Sequence, residues 1–423
     1  MIFIVTMWFL VWGALFTGIY IIIDVPEWYT SPLGIFQGMR ALLPILALYI
    51  SLLWIFVGKL KFPSLKTPLG LFFYYSLVGL ATSLFSPNVL ISLYWGLLFL
   101  ATVMVTWVFY LREDSLKSLQ TISYVNYIVA IGIFLIIALK VVPLGFGARG
   151  QQFYALPFGL GEMNANGVGR FSLVVIIISG IWFFFKKEKI RYAWLGLCLV
   201  GVFMLMFTQS RTALLGLGVA SMLFVLIMGF RWYYVLMGPF VALVLWQAGF
   251  KGRAGGEVDI LVNLSGREST WGEAISLIKQ SPFLGWGFHS DRIMLDSAHI
   301  HNSYIHALIQ SGILGLLFFM LAITSIWILF LKMNIFKKLR YYKGEDKPLV
   351  LVNVLLIGFF SARSLFESTA AFYGVDLLIF LPAIVYVYNW MQVQPDEEED
   401  IQTPPTEYVK SRGQRLRPYH FHE

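Results

Sequence analysis

The sequence predicts an all-α, polytopic integral membrane protein with about twelve transmembrane helices and one large, partly helical loop on one face. Three observations carry this. Hydrophobic residues make up 58% of the 423 residues and charged residues only 13%, with a mean hydropathy of +0.75; ordinary soluble domains are roughly a quarter charged. The apolar residues fall into runs long enough to cross a ~30 Å hydrocarbon core. Between those runs, the basic residues gather on alternate connections. The 14 Trp and 21 Tyr suit two interfacial belts.

The runs lie at approximately 1–23, 35–57, 68–86, 88–111, 121–142, 166–185, 192–208, 212–229, 233–249, 303–331, 348–362 and 371–391. The run 348–362 is short for a span, which points to a tilt or a break. The first run is too long and too poorly flanked for a cleaved signal peptide and reads as a retained span. Twelve spans put both termini on one side. With that side as the cytoplasm, the inside segments hold most of the 31 basic residues. These are Lys59, Lys61 and Lys66, Arg112 and Lys117, Lys186 to Arg191, Arg231, the Lys332–Lys347 cluster and the basic residues of the tail. This is the positive-inside pattern. Residues 1–391 form the membrane domain, with the large outside loop 250–302 within it. Residues 392–423, acidic at Asp396–Asp400 and followed by two prolines and scattered Arg, read as a disordered cytosolic tail. The one cysteine, Cys198, excludes a disulfide framework. No nucleotide-binding loop and no internal repeat is evident.

Arginines on the outside face run against the charge rule, and in or near a bilayer they call for a partner or a function. Arg149 lies in the outside loop 143–165. Arg170 sits one turn into an apolar run; its structural alternatives are a pair with Glu162 or snorkelling outward. Arg363 closes another run and is best explained by an i,i+4 pair with Glu367. Arg211 has no acidic neighbour in sequence. Thr208 and Ser210 just before it can cap the next helix, so a guanidinium and a helix N-terminus converge, which suits an anion.

The large loop repeats that device. Thr270 and Glu273 form a capping-box pattern, and Trp271, Ala274, Ile275 and Ile278 share one face of a short helix that ends before Pro282 and lies at the membrane surface. Arg267 precedes it. Two such arginines suit a diphosphate, which guanidinium groups grip bidentately. Gly285-Trp286-Gly287-Phe288 then makes a flexible turn. Four of the six histidines follow, at 289, 299, 301 and 306. On a helix of about 100° per residue, His301, Leu308, Gly312, Gly315 and Phe319 fall within roughly 40° of one direction, so the glycines admit a neighbouring helix and fix the aim of His301. A zinc site is the alternative. It is disfavoured because His306 lies about 140° from His301 on that helix, the only Cys is remote, and the carboxylates in range are only Asp291 and Asp296. A single imidazole acting as general base is the more economical reading.

These residues resemble the bacterial O-antigen ligase and O-antigen polymerase superfamily. His301, Asn302, Gly312 and Gly315 meet the ligase pattern of His, then Asn, nine residues, Gly, two residues and a second Gly. Ser210-Arg211 with the small apolar residues after it, Ser265-Gly266-Arg267 with Trp271, and Ser281-Pro282-Phe283-Leu284-Gly285-Trp286-Gly287 look like the family's other motifs. Glu162-Met163-Asn164-Ala165-Asn166 is similar to its mid-chain span start but departs from the commoner Asn-Pro-Asn form.

The resemblance implies a multi-pass protein of the bacterial inner membrane with both termini cytoplasmic, so that 250–302 becomes a periplasmic loop. It implies a glycosyltransferase that moves a glycan from undecaprenyl diphosphate to an acceptor hydroxyl, with no metal, no cofactor and no nucleic acid. The acceptor of a ligase is a lipid A-core sugar; the alternatives are a repeat-unit polymerase or an O-oligosaccharyltransferase. His301 is then the catalytic base, and Arg211, Arg267, Arg170, Arg149 and Asn302 contact substrate. The non-enzyme alternative, a lipid-linked glycan flippase, calls for broken mid-membrane helices and inverted repeats, neither of which is evident in the sequence.

Overall fold

A computed structural model describes residues 1–15, 28–141, 154–155, 162–208, 210–229, 267–295 and 299–393. Among these, nine helices are long and apolar enough to cross a membrane, and the chain is the all-α membrane bundle its composition predicts. The helices are α1 (Ile2–Trp12), α2 (Pro32–Val57), α3 (Pro68–Thr82), α4 (Val89–Tyr110), α5 (Ser115–Val141), α6 (Ala165–Phe185), α7 (Arg191–Thr208) and α8 (Arg211–Met228). Within the large loop lie α9 (Arg267–Gln280) and the short α10 (Ser290–Met294), and after it come α11 (Ser303–Lys332), α12 (Ile335–Tyr341), α13 (Lys347–Arg363) and α14 (Val375–Val393). A two-residue ribbon pairs Tyr154–Ala155 antiparallel with Glu162–Met163. The expected run 233–249, Arg149, most of the loop 143–165 and the tail from 394 lie outside the described residues.

Local chemistry sets where the helices start. Ser31, Thr67, Asn88 and Asn164 each accept a backbone N–H from the first turn of α2, α3, α4 and α6, and proline follows immediately in the first two. The order of burial then places α13 and α14 at the centre. The apolar window of α14 is 89% buried, and α13 buries every residue from Pro348 to Phe360. Helices hydrophobic on all sides are the ones wrapped by other helices. The 348–362 run, expected to tilt or break, does not break: it is one continuous helix of 17 residues. At about 1.5 Å per residue it is short for a ~30 Å core, and protein covers it from Pro348 to Phe360. By contrast α7, α11, α2 and α8 have windows only 22%, 33%, 39% and 39% buried and lie toward the outside of the bundle.

One end of the bundle collects the starts of α4, α6, α8, α11 and α14 and the ends of α3 and α13. All the polar features described below lie at that end.

Candidate active site

The sequence pattern puts His301 on a helix, but the structure does not. α11 begins at Ser303, with Asn302 as its cap: Asn302 Oδ1 accepts from the amides of Tyr304 (2.9 Å) and Ile305 (3.0 Å). His301 precedes the cap with φ +52°, a left-handed backbone conformation. Its direction is therefore set by that bend and by the chain packed against it, and not by the helical wheel. The cap also defines Asn302, whose amide donates to Leu365 O at 3.0 Å, so both its functional atoms hold backbone.

The chain packed against His301 is the connection between α13 and α14. Ser303 N donates to Ser364 O (2.9 Å), and Ser303 Oγ lies 2.8 Å from both Glu367 O and Thr369 O. This clamp brings the Glu367 carboxylate to His301, with Nδ1 2.8 Å from Oε2. The His301 side chain is 23% exposed and that of Glu367 8%, so the imidazole faces outward with a buried carboxylate behind it. With Nδ1 donating to Glu367, the lone pair stands on Nε2, the orientation a general base requires.

Behind this pair lies a polar chain. Asn166 Nδ2 donates to Glu367 Oε1 (2.8 Å), Ser210 Oγ donates to Asn166 Oδ1 (3.1 Å), and Ser210 Oγ meets Thr212 Oγ1 at 3.3 Å. Arg363 Nη1 donates to Thr212 Oγ1 (3.4 Å) and its Nε to Asp376 Oδ2 (3.1 Å), while Arg170 Nη1 donates to Asp376 Oδ1 (2.9 Å). One sequence expectation is corrected here. Arg363 pairs with Asp376 rather than Glu367, whose two carboxylate oxygens are turned to His301 and Asn166 instead. Arg170, expected to contact substrate, has its guanidinium held on Asp376, a carboxylate 206 residues away.

The four histidines go to three places. His289 (φ +65°) stacks on Trp95 with ring centroids 4.6 Å apart, and burial lowers it to about 3. His306 is buried, with Nδ1 3.0 Å from Asp291 Oδ2 and Nε2 2.6 Å from the Gln310 amide. The Asp291 contact has the distance of an ion pair but lacks hydrogen-bond alignment. Burial alone would raise Asp291; His306 and Arg292 outweigh it and hold the carboxyl well below the usual range. His299 stacks on His301 at 5.2 Å, and the Arg292 guanidinium lies across its ring, with Nη1 2.7 Å from Nε2. Burial and then Arg292 push His299 down to about 3; because much of the residue is exposed, the guanidinium is the firmer cause. An imidazole that weakly basic is a poor proton acceptor at neutral pH. His301 is thus the one histidine of the four with an outward-facing ring and a carboxylate on Nδ1. Among the described residues no group of three or more His, Cys, Asp or Glu could hold a metal.

The loop that presents these histidines is pinned. α11 breaks at Gly312 (φ +62°, ψ −168°), which frees two carbonyls of its ladder. Ile309 O accepts from Trp286 N and Gln310 O from Gly287 N, each at 2.7 Å, and Ile313 N turns to Pro282 O at 2.9 Å. A Cβ on Gly312 would sit 2.0 Å from Phe283 O. The Gly285–Phe288 turn, expected to be flexible, is therefore docked in a notch of α11, and Gly312 faces this loop and not another helix. Phe288 anchors it between Tyr75 and Phe99.

α9 begins at Arg267, so Thr270 and Glu273 lie inside the helix and not at its cap. Its apolar face packs on protein and not on the membrane surface: Trp271, Ala274, Leu277 and Ile278 join Leu295, Ile300 and Ile309, while Ile275 is exposed. Trp271 Nε1 donates to Ile300 O at 2.6 Å, one residue from His301.

Arg211 is the first residue of α8, directly after the Ser210 that reaches Asn166. Ser210 occupies the cap position, but its hydroxyl serves the polar chain and does not cap the helix. Thr208 bonds back to Leu205 O. The side chain of Arg267, like Arg149 and Asp296, lies outside the described residues. Sequence reasoning named Glu367 and Asn166 but not their place beside His301, and it missed Asp376. Their signal was available: Glu367 and Asp376 are isolated acids beside otherwise apolar runs.

Residues 196–320 match the family model described as O-antigen ligase. Neither a curated protein nor a solved structure matches the chain. The matched segment holds Arg211, Arg267 and His301; Asn166, Glu367 and Asp376 lie outside it.

Proposed function

With residues 196–320 resembling O-antigen ligases, we propose that this membrane protein is a metal-independent, inverting glycosyltransferase that moves a glycan from undecaprenyl diphosphate to an acceptor hydroxyl, with His301 as general base. The observation that supports the reading most is the 2.8 Å contact of His301 Nδ1 with the buried Glu367 carboxylate, set beside the start of a helix that carries Arg211.

The acceptor oxygen attacks the anomeric carbon while its proton passes to His301 Nε2. As the new C–O bond forms, the bond from that carbon to the diphosphate oxygen breaks, and its electron pair leaves with the diphosphate. Attack opposite the leaving group inverts the configuration. Glu367 stabilises the imidazolium that results, and the proton later returns to water. The departing charge falls to Arg211 and the N-terminus of α8, with Arg267 of the large loop as the second guanidinium; donors aimed at developing charge are a main source of catalysis. Asn302 supports the site as the cap that ends the His301 bend. The reacting face is the periplasmic side of the inner membrane, and the acceptor is a lipid A-core sugar.

The test is transfer by the purified protein in proteoliposomes, from radiolabelled undecaprenyl-diphosphate-linked glycan to lipid A-core that lacks O-antigen. Labelled product with the inverted linkage is expected, unaffected by chelators. His301→Ala should cut the rate by about 10²–10⁴, the usual contribution of a general base, while still accumulating. A His301→Ala protein within tenfold of wild type rules out the base. Label passing instead to a second lipid-linked glycan or to a protein hydroxyl assigns the polymerase or oligosaccharyltransferase role.

A further inference from the structure

The polar chain behind His301 has a single consistent direction. Glu367, when ionised, can only accept, so the Asn166 amide must turn its NH2 to Oε1 and its oxygen to Ser210. Ser210 then donates its one hydroxyl proton to Asn166, and its oxygen accepts from Thr212. Thr212 in turn accepts from the Arg363 guanidinium, which has no acceptor capacity. Every donor from Arg363 onward therefore points toward Glu367, and His301 Nδ1 approaches the same carboxylate from the other side. Asn166 is the one link that touches the carboxylate directly. It is placed there by its neighbour two residues back, since Asn164 caps α6 through Gly167 N at 2.9 Å.

We infer that Asn166 is a positioning residue for the transfer reaction: its amide fixes the Glu367 carboxylate, ionised and in plane, so that His301 presents Nε2 to the acceptor. This deepens the general-base reading above and rests on it. The side chain acts through Glu367 and has no contact with His301 in the structure. The charged groups around the pair are Arg363, Arg170 and Asp376 at the ends of α13, α6 and α14, Arg211 at the start of α8, and His299 with Arg292 on the loop; Glu367 feels Arg363, Arg170 and His299.

Asn166→Asp keeps the shape and the acceptor for Ser210 but replaces the donor facing Glu367 with a second carboxylate. Two carboxylates this close share one proton and give it up only as the pH rises; the negative charge then added beside the pair favours the protonated imidazole, so His301 loses its proton at higher pH. The acid limb of the pH–rate profile should move upward by at least about half a pH unit. Asn166→Ala leaves Glu367 short of one donor and should lower kcat by about tenfold, the value of one hydrogen bond to a charged group, with acceptor KM unchanged within about twofold. Both are measured with the labelled undecaprenyl-diphosphate-linked glycan and lipid A-core that lacks O-antigen, alongside His301→Ala. A purely structural asparagine would lower protein yield without moving the limb. The inference is overturned if the Asn166→Asp limb superimposes on wild type or if Asn166→Ala keeps full kcat; should Asn166→Asp fail to accumulate, the Asn166→Ala kcat decides. An active His301→Ala would instead remove the reading beneath it.

Discussion

Asp376 holds two guanidinium groups, Arg363 and Arg170, and a threonine hydroxyl, Thr369, in a site where its side chain is 9% exposed. Removing a charge partner from a buried pair strands what remains and costs about 3–5 kcal/mol. Here two arginines would be stranded at once, and the connection that delivers Glu367 would lose an anchor. Asp376→Asn should therefore lower the thermal midpoint of the detergent-solubilised protein by several degrees and reduce accumulation in the membrane. Unaltered melting would mean the arginines are neutralised by other groups. At this scale the sequence was partly legible. His301 and Arg211 stand out because polar residues in apolar surroundings need a reason. The partners do not, because local arguments reach only a few residues along the chain: four from Arg363 to Glu367, eight from Arg170 to Glu162. The true partners are 13 and 206 residues away, distances over which spacing carries no information.

At the scale of elements, the helix of His301 illustrates what a pattern can and cannot do. The small residues at 312 and 315 read in sequence as the place where a neighbouring helix comes close. Gly315 does face a helix, beside Tyr75 of α3, but what approaches Gly312 is the Ser281–Gly287 segment, which seats where the helix is broken. Gly312 occupies a backbone region open essentially only to glycine, and the broken ladder's carbonyls are satisfied by Trp286 and Gly287 amides, as every buried backbone group in a membrane protein must be. A break of this kind was named as a mark of transporters. Here it seats a loop next to the candidate base and lines no path across the bundle that the described residues reveal. Gly312→Ala adds strain of about 1–3 kcal/mol and places a methyl 2.0 Å from the Phe283 carbonyl. The loop should undock, making residues 281–295 newly sensitive to limited proteolysis and lowering transfer by at least tenfold, about 1.4 kcal/mol or more of the barrier. Wild-type protease resistance together with wild-type transfer would show that the notch is not needed to present His301.

For the whole molecule, composition alone carried the class, since no soluble core can absorb so many apolar residues, and nine of the expected spans appear as helices of the right length. Which helices would be central was not legible. Hydropathy treats lipid and protein as the same solvent, so the most lipid-exposed span, α7, and the most buried, α14, read alike in sequence. Orientation rests on charge. The bundle end holding His301, Glu367 and Arg211 is opposite the connections that carry Lys61, Lys117, Lys187 and Lys338. Basic residues are retained on the cytoplasmic side, and α12 carries Lys337, Lys338 and Arg340. On the proposed function, the end that holds His301 is then the periplasmic one. A reporter active only in the cytoplasm should work when fused at Lys187, Lys338 or the C-terminus and fail when fused anywhere within 255–300. The same logic makes the tail dispensable: truncation after Gln394 should leave specific activity within about twofold of wild type, because an acidic, proline-containing cytosolic segment has no route to a periplasmic site. Cytoplasmic reporter activity in the large loop would invert the bundle. His301 and its arginines would then face the cytosol, where lipid-linked glycans are made and not consumed, and the transferase assignment would have to give way with the topology.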